Sequence, residues 1–217
     1  MTGNEKQRLE ASGFARSNGK VLRAVNILRI RYNKLTGIKS VLKDDGVTAE
    51  EFLESVGFLA EDGYIHLRQI AAKESAALSD SDYAALEAKL TGKGIRLLAG
   101  GVEDNMIEIN SSDKSALRAG NFIQNNGRAL RTLNILAYKY SRLESMRDIL
   151  KNDGIAGDEF LDSVNFLAEE GYIHLRQTAT KEEAILADSD YATLEAKLTA
   201  KGNRLLRGGV KDDMIEV

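Results

Sequence analysis

A twelve-residue segment occurs twice in this chain with one difference. Residues 58–69 are FLAEDGYIHLRQ, and residues 166–177 are FLAEEGYIHLRQ, 108 positions later. The same offset aligns the chain with itself, without a gap, from Lys6 to the C-terminus. The sequence therefore predicts two copies of one folding unit, over residues 1–109 and 110–217, with a junction of small polar residues at 110–113. Each copy has the usual size of a domain with its own hydrophobic core.

The composition excludes several classes of protein. Hydrophobic residues make up 43% of the chain and charged residues 29%, with a net charge of −3, as in ordinary globular proteins. No apolar run is long enough to span a membrane, and the first residues do not form an apolar export signal. Without cysteine there are no disulfides and no thiolate ligands. We therefore expect a cytoplasmic protein that does not bind membranes.

A first helix is predicted after a polar lead-in of residues 1–17, which has room for one or two helical turns of its own. It begins at Asn18-Gly19, and its apolar residues recur at intervals of three and four, which places them on one face. These residues are Val21, Val25, Leu28, Tyr32 and Leu35. A short second helix over residues 38–43 ends at Asp45-Gly46.

Thr48 and Glu51 form a capping box that predicts the start of a third helix, which Gly63 ends. Its buried face is predicted to contain Phe52, Leu53, Val56, Leu59 and Ala60. The second copy has Ala156 in place of Thr48, so we expect a different cap there, from Gly157 or Asp158.

Alternating apolar residues predict a strand from Tyr64 to Gln69, with Ile65 and Leu67 inward and Tyr64, His66 and Arg68 outward. A long loop over residues 71–82 follows. Residues 85–91 alternate again and predict a returning strand, although the composition of residues 82–90 also favours a helix. Both alternatives stay open for residues 83–90. A short helix after residues 90–94, ended by Gly100-Gly101, and a last strand over residues 106–109 complete the copy.

Two joins between these elements resemble those of winged helix-turn-helix domains of bacterial or phage type. They are residues 58–65, before the first strand, and residues 90–94, before the last helix, with counterparts at 166–173 and 198–202. The resemblance covers residues 19–108 and 127–216. It implies a mainly α (α+β) fold of two tandem winged-helix domains, each with three to four helices and a small antiparallel β-hairpin. It also implies transcription regulation through double-stranded DNA, with the third helix in the major groove.

The charge of the third helix opposes that mode of binding. Residues 44–62 contain seven acids and no base, and residues 152–170 contain six acids and no base. Phosphates repel such a surface, and counterion release requires the opposite sign. We therefore expect that the third helix does not make the usual contacts with DNA.

The bases are concentrated in the first part of each copy. Residues 11–43 contain eight bases and no acid, and residues 119–151 contain six bases and two acids. Positions that are basic in both copies predict a stripe on the first helix that contacts phosphates, aided by one arginine of the hairpin. These candidates are Lys20, Arg23, Arg31, Lys34 and Arg68, with Arg128, Arg131, Lys139, Arg142 and Arg176 in the second copy.

A second function is compatible with the same charges. The acidic third-helix face of one copy or molecule would pair with the basic first-helix face of another, giving a protein-interaction or self-association module. The candidate acids are Glu50, Glu51 and Glu54, with Asp158, Glu159 and Asp162 in the second copy. A merely solvated surface is the third interpretation, and the sequence does not choose between the first two.

No pattern predicts catalysis, a metal or a cofactor. His66 and His174 are the only histidines and have no neighbouring ligands at metal spacing, so we expect hydrogen-bonding surface residues. Residues 80–82 lack the remaining ligands of a calcium loop, and residues 92–94 lack the spacing of a phosphate-binding loop. We therefore expect a protein that is not an enzyme.

Overall fold

The computed structural model describes residues 3–109, 119–135 and 139–217. The chain divides into two compact units, Met1–Leu117 and Arg118–Val217. Within the described residues, each unit is a mixed α/β structure of four helices and one small three-stranded antiparallel sheet. The predicted junction at residues 110–113 lies outside the described residues. No helix of the described ranges is both long enough and apolar enough to cross a membrane.

The elements have the same order in both units. Unit 1 contains α1 (Gly3–Val25), β1 (Asn33–Lys34), α2 (Leu35–Asp44), α3 (Ala49–Glu61), β2 (Ile65–Gln69), β3 (Leu86–Leu90) and α4 (Gly92–Leu98). Unit 2 contains α5 (Ala119–Asn134), β4 (Ser141–Arg142), α6 (Leu143–Asn152), α7 (Gly157–Glu169), β5 (Ile173–Gln177), β6 (Leu194–Leu198) and α8 (Ala200–Leu206).

The third strand of each unit, β3 or β6, lies in the middle of its sheet, and the strand orders are β1-β3-β2 and β4-β6-β5. In unit 1, Ile65 pairs with Leu90 and Asn33 pairs with Ala88. The predicted hairpin is confirmed, and the alternative helix over residues 82–90 is wrong, since a single 3-10 turn at Tyr83–Ala85 leads directly into β3. The two-residue edge strand β1 was not predicted, because two residues are too few to show alternation.

The first helix differs from its prediction at both ends. α1 begins at Gly3, so the lead-in is helical, and it ends at Val25. Leu28 lies in the turn beyond the helix and is 57% exposed, so the apolar face does not continue toward Leu35. Asn33 closes this connection, because its buried side-chain Nδ2 donates a hydrogen bond to the Val25 carbonyl oxygen at 2.9 Å.

The predicted capping box at the start of α3 is confirmed. The Glu51 N–H donates to Thr48 Oγ1 at 3.2 Å, and the Thr48 N–H donates to Glu51 Oε2 at 2.8 Å. These backbone and hydroxyl hydrogen bonds hold the pKa of Glu51 below its ordinary value. Gly46 and Gly63 have φ values of 75° and 74°, the left-handed conformation predicted for the ends of α2 and α3.

The cap predicted for the third helix of unit 2 is wrong. α7 begins at Gly157 with Ala156 in the cap position, and no side chain caps the helix in place of Thr48. Glu159 retains its half of the box, since its Oε2 accepts a hydrogen bond from the Ala156 N–H at 3.3 Å. Neither Gly157 nor Asp158 takes over the cap position.

The core of unit 1 lies between α1, α3 and the inner face of the sheet. Two aromatic rings support the packing of the helices, since Phe14 and Phe58 meet edge to face with centroids 5.3 Å apart. Phe122 and Phe166 make the same contact in unit 2. The buried residues of unit 1 include Val21, Leu22, Val25, Phe52, Val56, Leu59, Ile65, Leu67, Leu86 and Ala88. Leu53 and Ala60, also predicted on this face, are only partly buried.

The last strand predicted over residues 106–109 is absent, and this segment is held on α1 instead. Asn18 Nδ2 donates to the Met106 carbonyl oxygen at 2.9 Å, and the Glu108 N–H donates to the Ala15 carbonyl oxygen at 2.9 Å. Unit 2 has the same two bonds, from Asn126 to Met214 and from Glu216 to Ile123. The end of each unit therefore lies on the helix that begins it.

Tyr64 was predicted to point outward and is buried, with 3% of its surface exposed. Its hydroxyl donates to Asp104 Oδ2 at 2.6 Å, and the Lys93 ammonium lies 4.0 Å from the ring centroid. Burial and the bond to Asp104 both raise the pKa of Tyr64. Tyr172 is equally buried in unit 2 and donates to Asp212 at 2.5 Å. This bond is a second attachment of the irregular C-terminal segment.

Gly19 allows the close approach of α1 and the C-terminal segment. A Cβ atom at this position would collide with the backbone carbonyl of Glu108, and one at Gly127 would collide with that of Glu216. Gly13 is in the same helix as Gly19, but a Cβ there would meet no atom within 4 Å. Gly13 and Gly19 are therefore a matched pair within α1 that differ in steric surroundings.

We predict that Gly19→Ala lowers the free energy of unfolding by about 1–3 kcal/mol, because the added methyl group forces backbone apart. Gly13→Ala should raise it by about 1 kcal/mol, because alanine favours the helix and nothing obstructs it. Urea denaturation followed by circular dichroism measures both. Equal effects of the two substitutions would contradict the close approach.

Candidate nucleic-acid interface

The predicted basic stripe does not lie on one helix. The stripe was predicted from four basic positions of the first helix in each unit. Because α1 ends at Val25, only two of those four positions in unit 1 are helical. Unit 2 is divided in the same way. Lys20 and Arg23 lie in α1, Arg31 in the bend after it and Lys34 in β1; Arg128 and Arg131 lie in α5, Lys139 in the bend and Arg142 in β4.

The helical bases bind carbonyl groups of their own unit. Lys20 Nζ donates to the Asp45 carbonyl oxygen at 2.7 Å, at the C-terminal end of α2, where a cation is favoured by the helix dipole. Arg23 Nε donates to the Gly19 carbonyl oxygen at 3.3 Å. In unit 2, Arg128 donates to Asp153 and Arg131 to Glu216, at 3.4 and 3.0 Å. Lys20, Arg128 and Arg131 thus contact helix ends and a chain end, whereas Arg23 bonds within its own helix.

Arg68 was predicted to point outward to phosphates and is instead buried, with 3% exposure. Its Nε donates to Glu87 Oε1 at 2.8 Å, and Lys73 Nζ donates to the same oxygen at 2.7 Å. The Tyr32 ring covers the guanidinium, 3.4 Å from its central carbon. The outer face of the sheet therefore contains a polar cluster of Tyr32, Arg68, Lys73 and Glu87, in which Arg68 and Glu87 are buried and which we call the Arg68 cluster.

Unit 2 has the corresponding cluster with more exposure. Arg176 Nε donates to Glu195 Oε1 at 2.6 Å beneath the Tyr140 ring, and its side chain is 28% exposed. Lys181 Nζ donates to the same oxygen at 3.0 Å. Burial works to raise the pKa of Glu195, but the hydrogen bonds and charges of Lys181 and Arg176 outweigh it and hold that pKa below 4.5.

His66 is a hydrogen-bonding residue, as predicted. Tyr32 Oη lies 2.8 Å from Nδ1 and Ser75 Oγ lies 2.8 Å from Nε2, so both ring nitrogens have partners. His174 differs because Glu183 replaces Ser75, and its Nδ1 lies 3.8 Å from a Glu183 carboxylate oxygen. In the ranges that the structure describes, no group of three or more His, Asp or Glu side chains is arranged to hold a metal ion.

Four exposed bases of unit 1 lie close together in the sequence, from the α1–β1 connection through β1 to the end of α2. Residues 29–43, which we call the basic segment, contain five bases and no acid. Arg29, Arg31, Lys34 and Lys43 are exposed. Lys39 is partly buried and donates from Nζ to the Tyr83 hydroxyl at 3.1 Å. A connection and a helix thus present a run of positive charge that no acid of the segment interrupts.

Lys39 and Lys43 were not among the candidates. Their counterparts 108 positions later are Arg147 and Lys151, so both positions are basic in both units. The 108-residue offset pairs them in the sequence, but they lie on the second helix and not on the predicted first helix. In the structure, Lys39 and Lys43 line a groove of about 540 Å³ between α2, the start of α3 and Tyr83.

The acidic face of α3 is only partly available for binding. Glu50 and Glu54 are exposed, whereas the Glu51 carboxylate is engaged by Thr48 in the capping box. In unit 2, Asp158 is exposed, while Glu159 accepts the Ala156 N–H and Asp162 is partly buried. The alternative of a protein interface through this face thus rests on fewer carboxylates than the sequence contains.

Comparisons with protein-family models, with curated proteins and with solved structures found no match to this chain. The candidate interface is therefore defined by the geometry and charge of the two units.

We predict that Arg68→Met lowers the free energy of unfolding by about 3 kcal/mol, because it leaves the buried Glu87 carboxylate without its arginine. Arg176→Met should cost less, because the Arg176 side chain is more exposed and water screens its interaction with Glu195. Urea denaturation of the two variants gives the comparison. An equal or larger loss of stability for Arg176→Met would show that burial does not govern these pairs.

We also predict that acid weakens the interactions of Glu195 with Arg176 and Lys181 in unit 2. A carboxylate with a lowered folded-state pKa stabilises the fold above its unfolded-state pKa, and this contribution is lost as the pH falls through the folded-state pKa. Wild type should therefore be more stable than Glu195→Gln at pH 7, and the difference should shrink as the pH falls below 4.5. Denaturation at a series of pH values measures it, and a difference independent of pH would contradict the prediction.

Proposed function

We propose that this chain is a non-enzymatic protein of two tandem winged-helix domains that binds double-stranded DNA, with transcription regulation as its role. The order of elements supports the class, since in each unit three helices precede a hairpin and a short strand between the first two helices completes the sheet. Winged-helix domains bind duplex DNA with helices and a hairpin set on such a scaffold. Fold alone does not define function, so the site must carry the proposal.

The observation that carries the proposal is the exposed positive charge of the basic segment. Five bases within residues 29–43 are not interrupted by an acid, and four of them are exposed. Neutralising phosphates with such side chains releases counterions from DNA, which is the main source of affinity that does not depend on sequence. The α1–β1 connection and α2 are therefore the proposed contact with the phosphate backbone.

The same electrostatics argue against the remaining candidates. Glu50 and Glu54 on α3 would face phosphates of the same sign, so α3 is an unfavourable recognition helix. Arg68 is buried against Glu87, and Lys20 binds the end of α2, so neither is presented to a duplex. The proposed contact is accordingly displaced from α3 toward α2.

Neutralising two exposed lysines of the basic segment tests the proposal. Lys34→Gln with Lys43→Gln should weaken binding to a labelled random-sequence duplex in fluorescence anisotropy. The slope of log affinity against log salt should become shallower by about 0.9 for each phosphate that the variant no longer neutralises. Both side chains are exposed, so the fold should be unaffected.

Lys93→Gln with Lys211→Gln is the matched control, since it removes the same charge from exposed positions outside the basic segment. It should leave the salt slope unchanged. If both double variants weaken binding equally, the affinity depends on net charge alone, and the basic segment is not the contact. If wild type does not bind the duplex even at low salt, DNA binding is wrong, and sedimentation would test the self-association alternative.

A further inference from the structure

The two units differ in charge where their structures correspond. α2 and α6 have the same length and the same place in their units, and both carry bases at the positions of Lys39 and Lys43. Thr36 and Ser40 of α2, however, correspond to Glu144 and Asp148 of α6. All four of these side chains are exposed. The exchange of two hydroxyls for two carboxylates is therefore a difference in surface chemistry and not in the core.

The two variable positions lie on the helix face that carries the bases. Residues three and four apart on a helix are neighbours on its surface, so Thr36, Lys39, Ser40 and Lys43 form one face of α2. These four residues line the groove of about 540 Å³, whose other wall is the start of α3 and Tyr83. The face combines two ammonium groups with two hydroxyl donors, the groups that bind a phosphate diester.

On α6 the same face is electrically balanced. Glu144 and Asp148 flank Arg147, and Lys151 is three residues beyond Asp148, so each base has an acid at a neighbouring position. Arg147 bonds the Tyr191 hydroxyl as Lys39 bonds that of Tyr83, so the two carboxylates are what distinguishes the faces. Two carboxylates at this face repel a phosphate and cancel the positive charge that would attract it.

We propose that the α2 groove of unit 1 is the phosphate-binding site of this chain, and that Glu144 and Asp148 exclude the DNA backbone from the equivalent face of unit 2. This inference rests on the proposed function and goes beyond it, since it assigns the duplex to one unit only. The chain then occupies one half-site rather than two, in spite of the similarity of its units.

The two units supply the substitutions for the test. Thr36→Glu with Ser40→Asp gives unit 1 the residues of unit 2, and Glu144→Thr with Asp148→Ser gives unit 2 the residues of unit 1. Each new residue already exists at the corresponding exposed helical position of the other unit, so both double variants should fold. Circular dichroism checks this before binding is measured.

Binding is measured with the labelled random-sequence duplex at low salt. Thr36→Glu with Ser40→Asp should weaken the affinity about tenfold or more, because two negative charges are added beside phosphates. Glu144→Thr with Asp148→Ser should bind at least as tightly as wild type. Inorganic phosphate, tested as a competitor, should not distinguish wild type from the Thr36→Glu with Ser40→Asp variant by the same tenfold. The affinity for a duplex comes from several contacts at once, and free phosphate makes only one.

The outcomes separate the inference from the proposed function. If wild type does not bind the duplex, both fall. If wild type binds and Thr36→Glu with Ser40→Asp binds equally well, the α2 groove is not the site, while DNA binding stands. If Glu144→Thr with Asp148→Ser weakens binding, unit 2 uses its carboxylates in the complex, and the assignment to unit 1 is wrong.

Discussion

Arg68 and Glu87 face each other on neighbouring strands, on the side of the sheet that would ordinarily face water, and the Tyr32 ring covers them. A buried ion pair of this kind is costly to form and more costly to break. The ion pair also positions the connection between α1 and β1. Tyr32 belongs to this connection and stacks on the Arg68 guanidinium, which holds the connection against the sheet. Asn33 holds the same connection from the other side through the Val25 carbonyl. The exposed bases of residues 29–34 are thereby presented by a fixed piece of backbone.

The charged side chains of unit 1 differ in how far they are exposed. Bases that pack within the unit, such as Lys20 and Arg68, have carbonyl or carboxylate partners. Four bases of the basic segment are exposed, and Lys39 is partly buried against Tyr83. The exposed acids of α3 lie on a neighbouring helix and repel anions at that surface. This distribution of charge supports the proposal that a phosphate backbone lies along α2 rather than along α3.

Local signals predicted much of the fold. The Thr48–Glu51 capping box, the left-handed Gly46 and Gly63, and the alternation of residues 86–90 each depend on a few neighbouring residues, and each was found where predicted. The failures involve distant partners. The end of α1 depends on Asn33, and the burial of Tyr64 and Arg68 depends on Asp104, Tyr32 and Glu87. Of the candidate site, the excess of bases was visible in the sequence, but not which of them would be engaged inside the fold.

The packing of residues 106–108 on α1 affects the order in which the contacts of unit 1 form during folding. Asn18 and Met106 are 88 positions apart, so the first helix obtains this partner only after nearly the whole unit has been made. During synthesis, a nascent chain that has passed α3 can bury much of α1, yet it leaves the groove beside Gly19 open until Glu108 has emerged. Closure of a contact at such a sequence separation is a late and slow event in folding. A chain that ends before Met106 therefore lacks the carbonyl group that Asn18 binds and the backbone that packs against Gly19.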